Sequence, residues 1–341
     1  MPIGYSKVTH ATPPGRVQSA LVVTVETTLT RQFGLTHPIV SAPMNIAAGG
    51  RLAAAVTDAG GLGLIGGAYG DWDRIEAELR EAGDTPVGCG FITWSVESSP
   101  EALDRVLQRR PRAVMLSFGD PGRLGARVRD AGVPLICQVH SRADALQAID
   151  ARANVVVAQG AEAGGHGDAR GTFALVPEVA DLLAERAPET LLCAAGGVAD
   201  GRGLAAALML GADGVLVGTR LWATNEANVP APFHAAALAA DGDATIRTSA
   251  MDIARQLPWP SRFTARVLRN RFTDTWEGRD AELQRVAASV GRDWVEGLAS
   301  GDTERANTIV GEAVGLIAAI EPAAVVIERI AGEAAQLLGS Y

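Results

Sequence analysis

Hydrophobic positions along the chain fall into two alternating textures. Short runs of β-branched and other apolar residues lie at 39–42, 62–65, 87–92, 113–118, 135–139, 154–158, 191–194 and 214–217. Between them, stretches rich in Ala, Leu, Arg and Glu repeat their apolar residues at helical spacing, at 49–59, 71–82, 99–110, 122–131, 141–150, 175–187 and 200–210, with a short turn at 219–224. Runs such as Val155-Val156-Val157-Ala158 are apolar at every position, which suits strands buried on both faces. Alternation of this kind implies parallel strands joined by crossover helices. Eight such units predict an α/β fold closed as a (β/α)8 TIM barrel. An open doubly wound sheet is the second choice. Against it, no G-x-G-x-x-G follows the first strand, and Gly60-Gly61-Leu62-Gly63 precedes its strand and reads as a helix C-cap.

The texture changes beyond residue 225. Residues 226–280 are rich in Pro, Trp, Asp and Arg with weak periodicity, as in Leu257-Pro258-Trp259-Pro260, and do not form a ninth barrel unit. From Ala281 to Leu338 the pattern is helical again, with 311–320 and 323–338 reading as amphipathic helices. The expected organisation is an N-terminal tail (1–28), a barrel (29–225), a smaller, mainly helical cap at the barrel mouth (226–300), and C-terminal helices (301–341) that pack back on the barrel.

Composition narrows the function. With 341 residues, 48% of them hydrophobic, a large core is available. The net charge of −9 argues against a nucleic-acid binder, which carries a basic face. Cys89, Cys137 and Cys193 each sit in an apolar run without C-x-x-C spacing and read as buried strand thiols. No signal pattern opens the chain, and 313–330, the most apolar stretch, is broken by Glu321, Pro322 and Glu328. A cytoplasmic protein without a membrane span is expected. Lys7 is the sole lysine and lies in the tail, which argues against Schiff-base chemistry.

Barrel chemistry sits at the C-terminal ends of the strands. Those ends read Ala42-Pro43-Met44-Asn45, Gly90-Phe91-Ile92-Thr93-Trp94, Ser117-Phe118-Gly119-Asp120, Gln138-Val139-His140, Gln159-Gly160-Ala161-Glu162-Ala163-Gly164-Gly165-His166-Gly167, Ala195-Gly196-Gly197 and Gly218-Thr219. The 159–167 end is the most informative. Its glycines let backbone approach a flat ring or a phosphate, and it ends on His166, whose imidazole exchanges a proton near neutral pH. Gly196, Gly197, Gly218 and Thr219 precede helix starts on the last two strands, where free N–H groups attract phosphate. Asp200 reads as the cap of the helix after Gly197. His140 stands at a strand end, as a helix-start residue or a ligand contact. His37 reads as structural and Asp120 as a helix cap, while Glu162 is open between a helix contact and a proton role. Trp94, Trp222 and Trp259 are core or pocket wall. No cluster has metal-ligand spacing.

With these segments in view, the chain resembles the nitronate monooxygenase family, formerly called 2-nitropropane dioxygenases, which are FMN-dependent barrels. The resemblance is carried by His37-Pro38-Ile39-Val40-Ser41-Ala42-Pro43-Met44, by 159–166, by Ala195-Gly196-Gly197-Val198, by Gly211-Ala212-Asp213-Gly214-Val215 and by Val267-Leu268-Arg269-Asn270-Arg271-Phe272. It implies FMN over the barrel mouth. Pro43, Met44 and Asn45 would line the ring, Gln159 would hydrogen-bond it, and Gly164 and Gly165 would pass close to it. Gly196, Gly197, Gly218 and Thr219 would hold the phosphate, and His166 would be the catalytic base. The chain departs from the family at Gly90, where many members carry asparagine, and at Asp168, where another residue type is usual. The implied reaction is oxidation of alkyl nitronates or nitroalkanes by O2. A histidine base fits it, because the α-C–H of a nitroalkane is acidic. The expected partners are that small-molecule substrate and O2, with no nucleic acid and no membrane; a homodimer is left open. One alternative keeps FMN but takes hydride from NAD(P)H to reduce a quinone or an enoyl thioester, since FMN-dependent enoyl-ACP reductases share the Gly-Gly-His string. A non-catalytic flavin-binding protein is the minor alternative.

Overall fold

A computed structural model describes residues 25–340. Lys7 and most of the expected tail lie outside them. Eight parallel strands form the barrel: β1 (Ile39–Ser41), β2 (Leu64–Ala68), β3 (Gly88–Ile92), β4 (Val114–Ser117), β5 (Leu135–Val139), β6 (Val155–Gln159), then, after the short β7 (Gly165–Gly167), β8 (Leu191–Ala195) and β9 (Gly214–Val217). Each barrel strand pairs with its neighbour in the order β1-β9-β8-β6-β5-β4-β3-β2. The ring closes between β1 and the residues leading into β2. Val40 bridges Leu62, the Leu62 N–H donates to Ile39 O, and the Leu64 N–H donates 2.8 Å to the Ser41 hydroxyl oxygen.

The all-apolar strands are explained by the two surfaces they cover. Val40, Leu64, Met115, Ile136, Val155, Val157, Cys193 and Leu216 fill the barrel interior. Val114, Leu116, Leu135, Cys137, Val156, Ala158 and Leu192 point outward, into the core shared with the helices. Successive residues face opposite sides, so an unbroken apolar run serves both cores. Each fully buried aliphatic side chain stabilises the fold by about 1.5–3 kcal/mol. The three cysteines are free and buried; burial pushes the Cys89 and Cys137 thiols up to about 12 and raises Cys193 as well.

Ahead of β1, helix α1 (Thr28–Phe33) places Leu29 in the interior cluster. The outer helices are α2 (Gly50–Asp58), α3 (Trp72–Ala82), the short α4 (Thr93–Val96), α5 (Glu101–Gln108), α6 (Gly122–Asp130), α7 (Arg142–Asp150), α8 (Thr172–Arg186) and α9 (Gly201–Met209). Asp120 accepts 2.8 Å from the Gly122 N–H, and Asp200 caps α9 by accepting from the Arg202 and Gly203 N–H groups.

Past the four-residue α10 (Thr219–Trp222) come α11 (Ala231–Leu238), β10 (Thr245–Thr248), α12 (Ala250–Ala254), β11 (Thr264–Leu268), α13 (Arg271–Trp276) and α14 (Asp280–Ser300). Two expectations need correction. The 159–167 segment is not only a loop: its Gly165–Gly167 end pairs antiparallel with β11, making a three-stranded sheet β10-β11-β7. The cap region therefore holds a sheet to which the barrel contributes one strand. And 311–320 is no α-helix. It contains a short 3-10 turn, Glu312–Leu316, because Gly311 lies against the 162–164 backbone, where an added Cβ would collide with Glu162 O. Helix α15 (Ala323–Gly339) packs on α9 and α2 and buries Val326, Ile327 and Ile330 in the outer barrel core.

Candidate active site

Strand ends and cap helices enclose a cavity of about 510 Å³. Pro43, Met44, Asn45, Gln159, Gly164, Gly165, His166, Gly196, Gly197, Gly218 and Thr219 all line it. Residues far apart in sequence converge there because every strand of a parallel barrel ends on the same rim.

One wall is backbone. Gly164 tolerates no side chain, since a Cβ would stand 2.5 Å from Gly311 N. Gly196 and Gly197 have φ of 98° and 79°, in the left-handed region that favours glycine. The Thr219 hydroxyl oxygen accepts 2.9 Å from the Gly311 N–H and so joins the end of β9 to the C-terminal segment.

A second wall is a polar cluster on β5 and β6. The Gln159 carbonyl oxygen accepts from Gln138 Nε2 at 2.9 Å and lies 2.6 Å from His140 Nε2. That ring nitrogen is therefore the protonated one. Both lone pairs of the Gln159 oxygen are used, and Gln159 itself lines the cavity. His140 is 2% exposed, and burial lowers its pKa to about 4, so it is neutral at neutral pH. Gln138 has no sequence signal beyond its place two residues before His140.

The third wall comes mainly from the cap. Trp222, Phe233, Met251, Trp294 and Leu298 make it apolar, and Arg255 lines it with its guanidinium 4.9 Å over the Trp294 ring. Trp259 stacks flat on His166, ring centroids 3.4 Å apart and planes at 4°, and donates through Nε1 to the Tyr69 hydroxyl at 3.0 Å. Trp94 packs edge-on to Trp259 outside this lining. His166 Nε2 lies 2.8 Å from Asp252 Oδ2 on α12. Nothing in the local sequence announces Asp252, which is 86 residues away.

Glu162 is a helix contact: it accepts 3.0 Å from the Thr172 N–H and 2.8 Å from the Thr172 hydroxyl at the start of α8. Asp168 faces the cap, pairing with Arg262 at 3.0 Å, while Arg262 also reaches Asp144 at 2.8 Å. His234 lies 3.0 Å from Trp222 O, away from the polar cluster. Gly90 explains the departure on β3, since a Cβ there would collide with Pro43 Cγ.

Several known proteins are similar to this chain in sequence and in fold. The sequence profile described as nitronate monooxygenase matches residues 26–90 and 93–333. The nitronate monooxygenase npaC of Metarhizium robertsii is 36% identical, across 89% of this chain and 92% of its own. Among solved structures, FabK from Thermotoga maritima superposes with a TM-score of 0.80 at 32% identity, covering 93% of this chain and 98% of its own. The nitroalkane oxidase of Streptomyces ansochromogenes superposes with a TM-score of 0.74 at 28% identity, covering 92% and 99%.

Proposed function

Because this chain belongs to the nitronate monooxygenase family of oxidoreductases, we propose that it holds FMN in the rim cavity and oxidises alkyl nitronates and nitroalkanes with O2, His166 acting as the base. The observation that carries the reading is the convergence of His166, Gln159, the 43–45 turn, Gly196-Gly197 and Gly218-Thr219 on one cavity. The residues fit the group. The 43–45 turn and the 164–165 backbone both line the cavity and suit a flat ring, to which Gln159 offers a hydrogen bond. Gly196, Gly197, Gly218 and Thr219 would take the phosphate through backbone N–H groups and the threonine hydroxyl.

FMN, when bound, supplies the electron transfer from the nitronate and the reaction with O2. The chain supplies the rest. The apolar cap wall receives the alkyl group and excludes water. His166 takes the α-proton of a neutral nitroalkane while the C–H electron pair moves toward the nitro oxygens. Arg255, on the same cavity, favours the negative charge that develops there.

Removing the base should therefore separate two substrates. His166→Ala is expected to keep FMN and to lose ~10²–10⁴-fold in turnover of nitroethane, with a smaller loss on pre-formed ethyl nitronate. Steady-state oxygen uptake measures both, and unchanged turnover of nitroethane by the variant would refute the base assignment. A second reading, NAD(P)H-dependent reduction of a quinone or enoyl thioester, draws support from the Gly164-Gly165-His166 string and the likeness to FabK. Anaerobic mixing distinguishes the two: bleaching of bound flavin by propyl nitronate but not by NAD(P)H favours nitronate oxidation, and the reverse favours the reductase.

A further inference from the structure

His166 stands on β7, a strand lent by the barrel, yet its ring is held from the cap. Asp252 Oδ2 lies 2.8 Å from His166 Nε2, and the Asp252 side chain is almost wholly buried. Its second oxygen, Oδ1, is buried without a hydrogen-bond partner. A half-satisfied buried carboxylate destabilises a fold, so a purely architectural role accounts poorly for it. An ionised carboxylate only accepts hydrogen bonds, so Nε2 carries the proton and the lone pair is on Nδ1. Trp259, stacked on one ring face, and Phe118, edge-on at 6.2 Å, restrict the ring to this orientation.

We propose that Asp252 is a positioning residue for the base: it fixes His166 in the Nε2–H tautomer, makes Nδ1 the proton acceptor, and stabilises the imidazolium once the proton arrives. This rests on the reading of His166 as the base. In the step, the α-C–H bond breaks and an Nδ1–H bond forms. The C–H electron pair becomes the C=N bond of the nitronate, and its negative charge rests on the nitro oxygens. His166 becomes a cation, and Asp252 keeps its charge and its hydrogen bond to Nε2 throughout. The wrong tautomer, or a lost carboxylate charge, would slow this step and leave oxidation of a ready-made nitronate nearly untouched.

The test uses the FMN-loaded enzyme and its Asp252→Asn and His166→Ala variants, assayed with nitroethane and with ethyl nitronate. For Asp252→Asn, kcat/KM on nitroethane is expected to fall ~10²-fold relative to that on ethyl nitronate. An equal loss on both substrates, or no loss on either, overturns the role of Asp252. If His166→Ala itself retains nitroethane turnover, the base reading fails instead. A second measurement needs no Asp252 variant. In wild-type holoenzyme labelled with 15N-histidine, the His166 ring signals (those absent from His166→Ala) should show a protonated Nε2 and a bare Nδ1. The opposite tautomer overturns the proposal even if Asp252→Asn does not fold.

Discussion

Asn45, Ala68 and Phe118 hold positive φ angles of 48°, 42° and 64°, and all three stand on the cavity wall, beside the ends of β1, β2 and β4. Side chains other than glycine rarely adopt this conformation, and its strain collects at sites where orientation matters. At Phe118 it presents the ring to both His140 and His166, with centroids 5.4 and 6.2 Å away. His140 has a measurable signature of its own. Burial lowers its pKa from 6.5 to about 4, so between these values the unfolded chain binds more protons than the folded one. Stability therefore rises with pH across that window, is fully present above it, and is lost as pH falls toward 4. His140→Gln should flatten the slope by about 1.4 kcal/mol per pH unit at most, read from urea unfolding at several pH values in the window. At Gly90, substitution by the asparagine of many relatives should cost about 1–3 kcal/mol by overpacking against Pro43 and weaken flavin retention. A urea midpoint equal to wild type would contradict this. Much of the residue-level site was legible, because strand ends and paired glycines mark a barrel rim in sequence. Asp252 and Arg255 were not, since their roles come from contacts across the fold and no local pattern encodes them.

At the scale of elements, the Gly-rich segment is clamped by two arginines of the cap sheet. Arg247 donates to Ala161 O at 3.2 Å, to the Thr264 hydroxyl at 3.0 Å, and to Gly167 O and Thr264 O. Arg266 donates to Ala161 O at 2.9 Å. Burial, and the neighbouring Arg266, pull Arg247 down to about 10, still cationic at neutral pH. Arg247→Met should leave part-buried carbonyls unpartnered, cost about 2–3 kcal/mol, and release β7 from its register. Hydrogen exchange at 159–167 is the measurement, and unchanged protection there would refute the clamp. The eight strands were legible because burial on both faces demands continuous apolar runs. β7 was not, since Gly-His-Gly carries no strand propensity or alternation and pairs only because β11 lies beside it. The 311–320 segment misled for a related reason: its apolar residues follow helical spacing, but Gly311 and Gly315 sit against backbone that leaves no room for a helix.

At the scale of the whole molecule, the barrel depends on the chain beyond the cap. Besides its apolar face, α15 provides Glu333, which accepts 3.0 Å from the Gly201 N–H at the start of α9. Just before α15, Glu321 pairs with the buried Arg220 at 2.6 Å. A chain ended after residue 320 would expose the face of α9 and leave Arg220 without its carboxylate. It should yield no soluble flavin-loaded protein, and a truncated protein that keeps stoichiometric flavin absorbance would contradict this. The parallel barrel was legible in outline from the β/α alternation. The division between barrel and cap is less simple than a boundary near 225, because β7 crosses it.

That crossing sets the unit in which relatives can be recombined. A graft that exchanges 226–300 alone would put a foreign β11 and a foreign partner for His166 against a native Gly-Gly-His strand. The strand's pairing and the ring's hydrogen bond would then both come from a sequence that did not evolve with it. The interchangeable module is discontinuous: 159–168 has to travel with the cap.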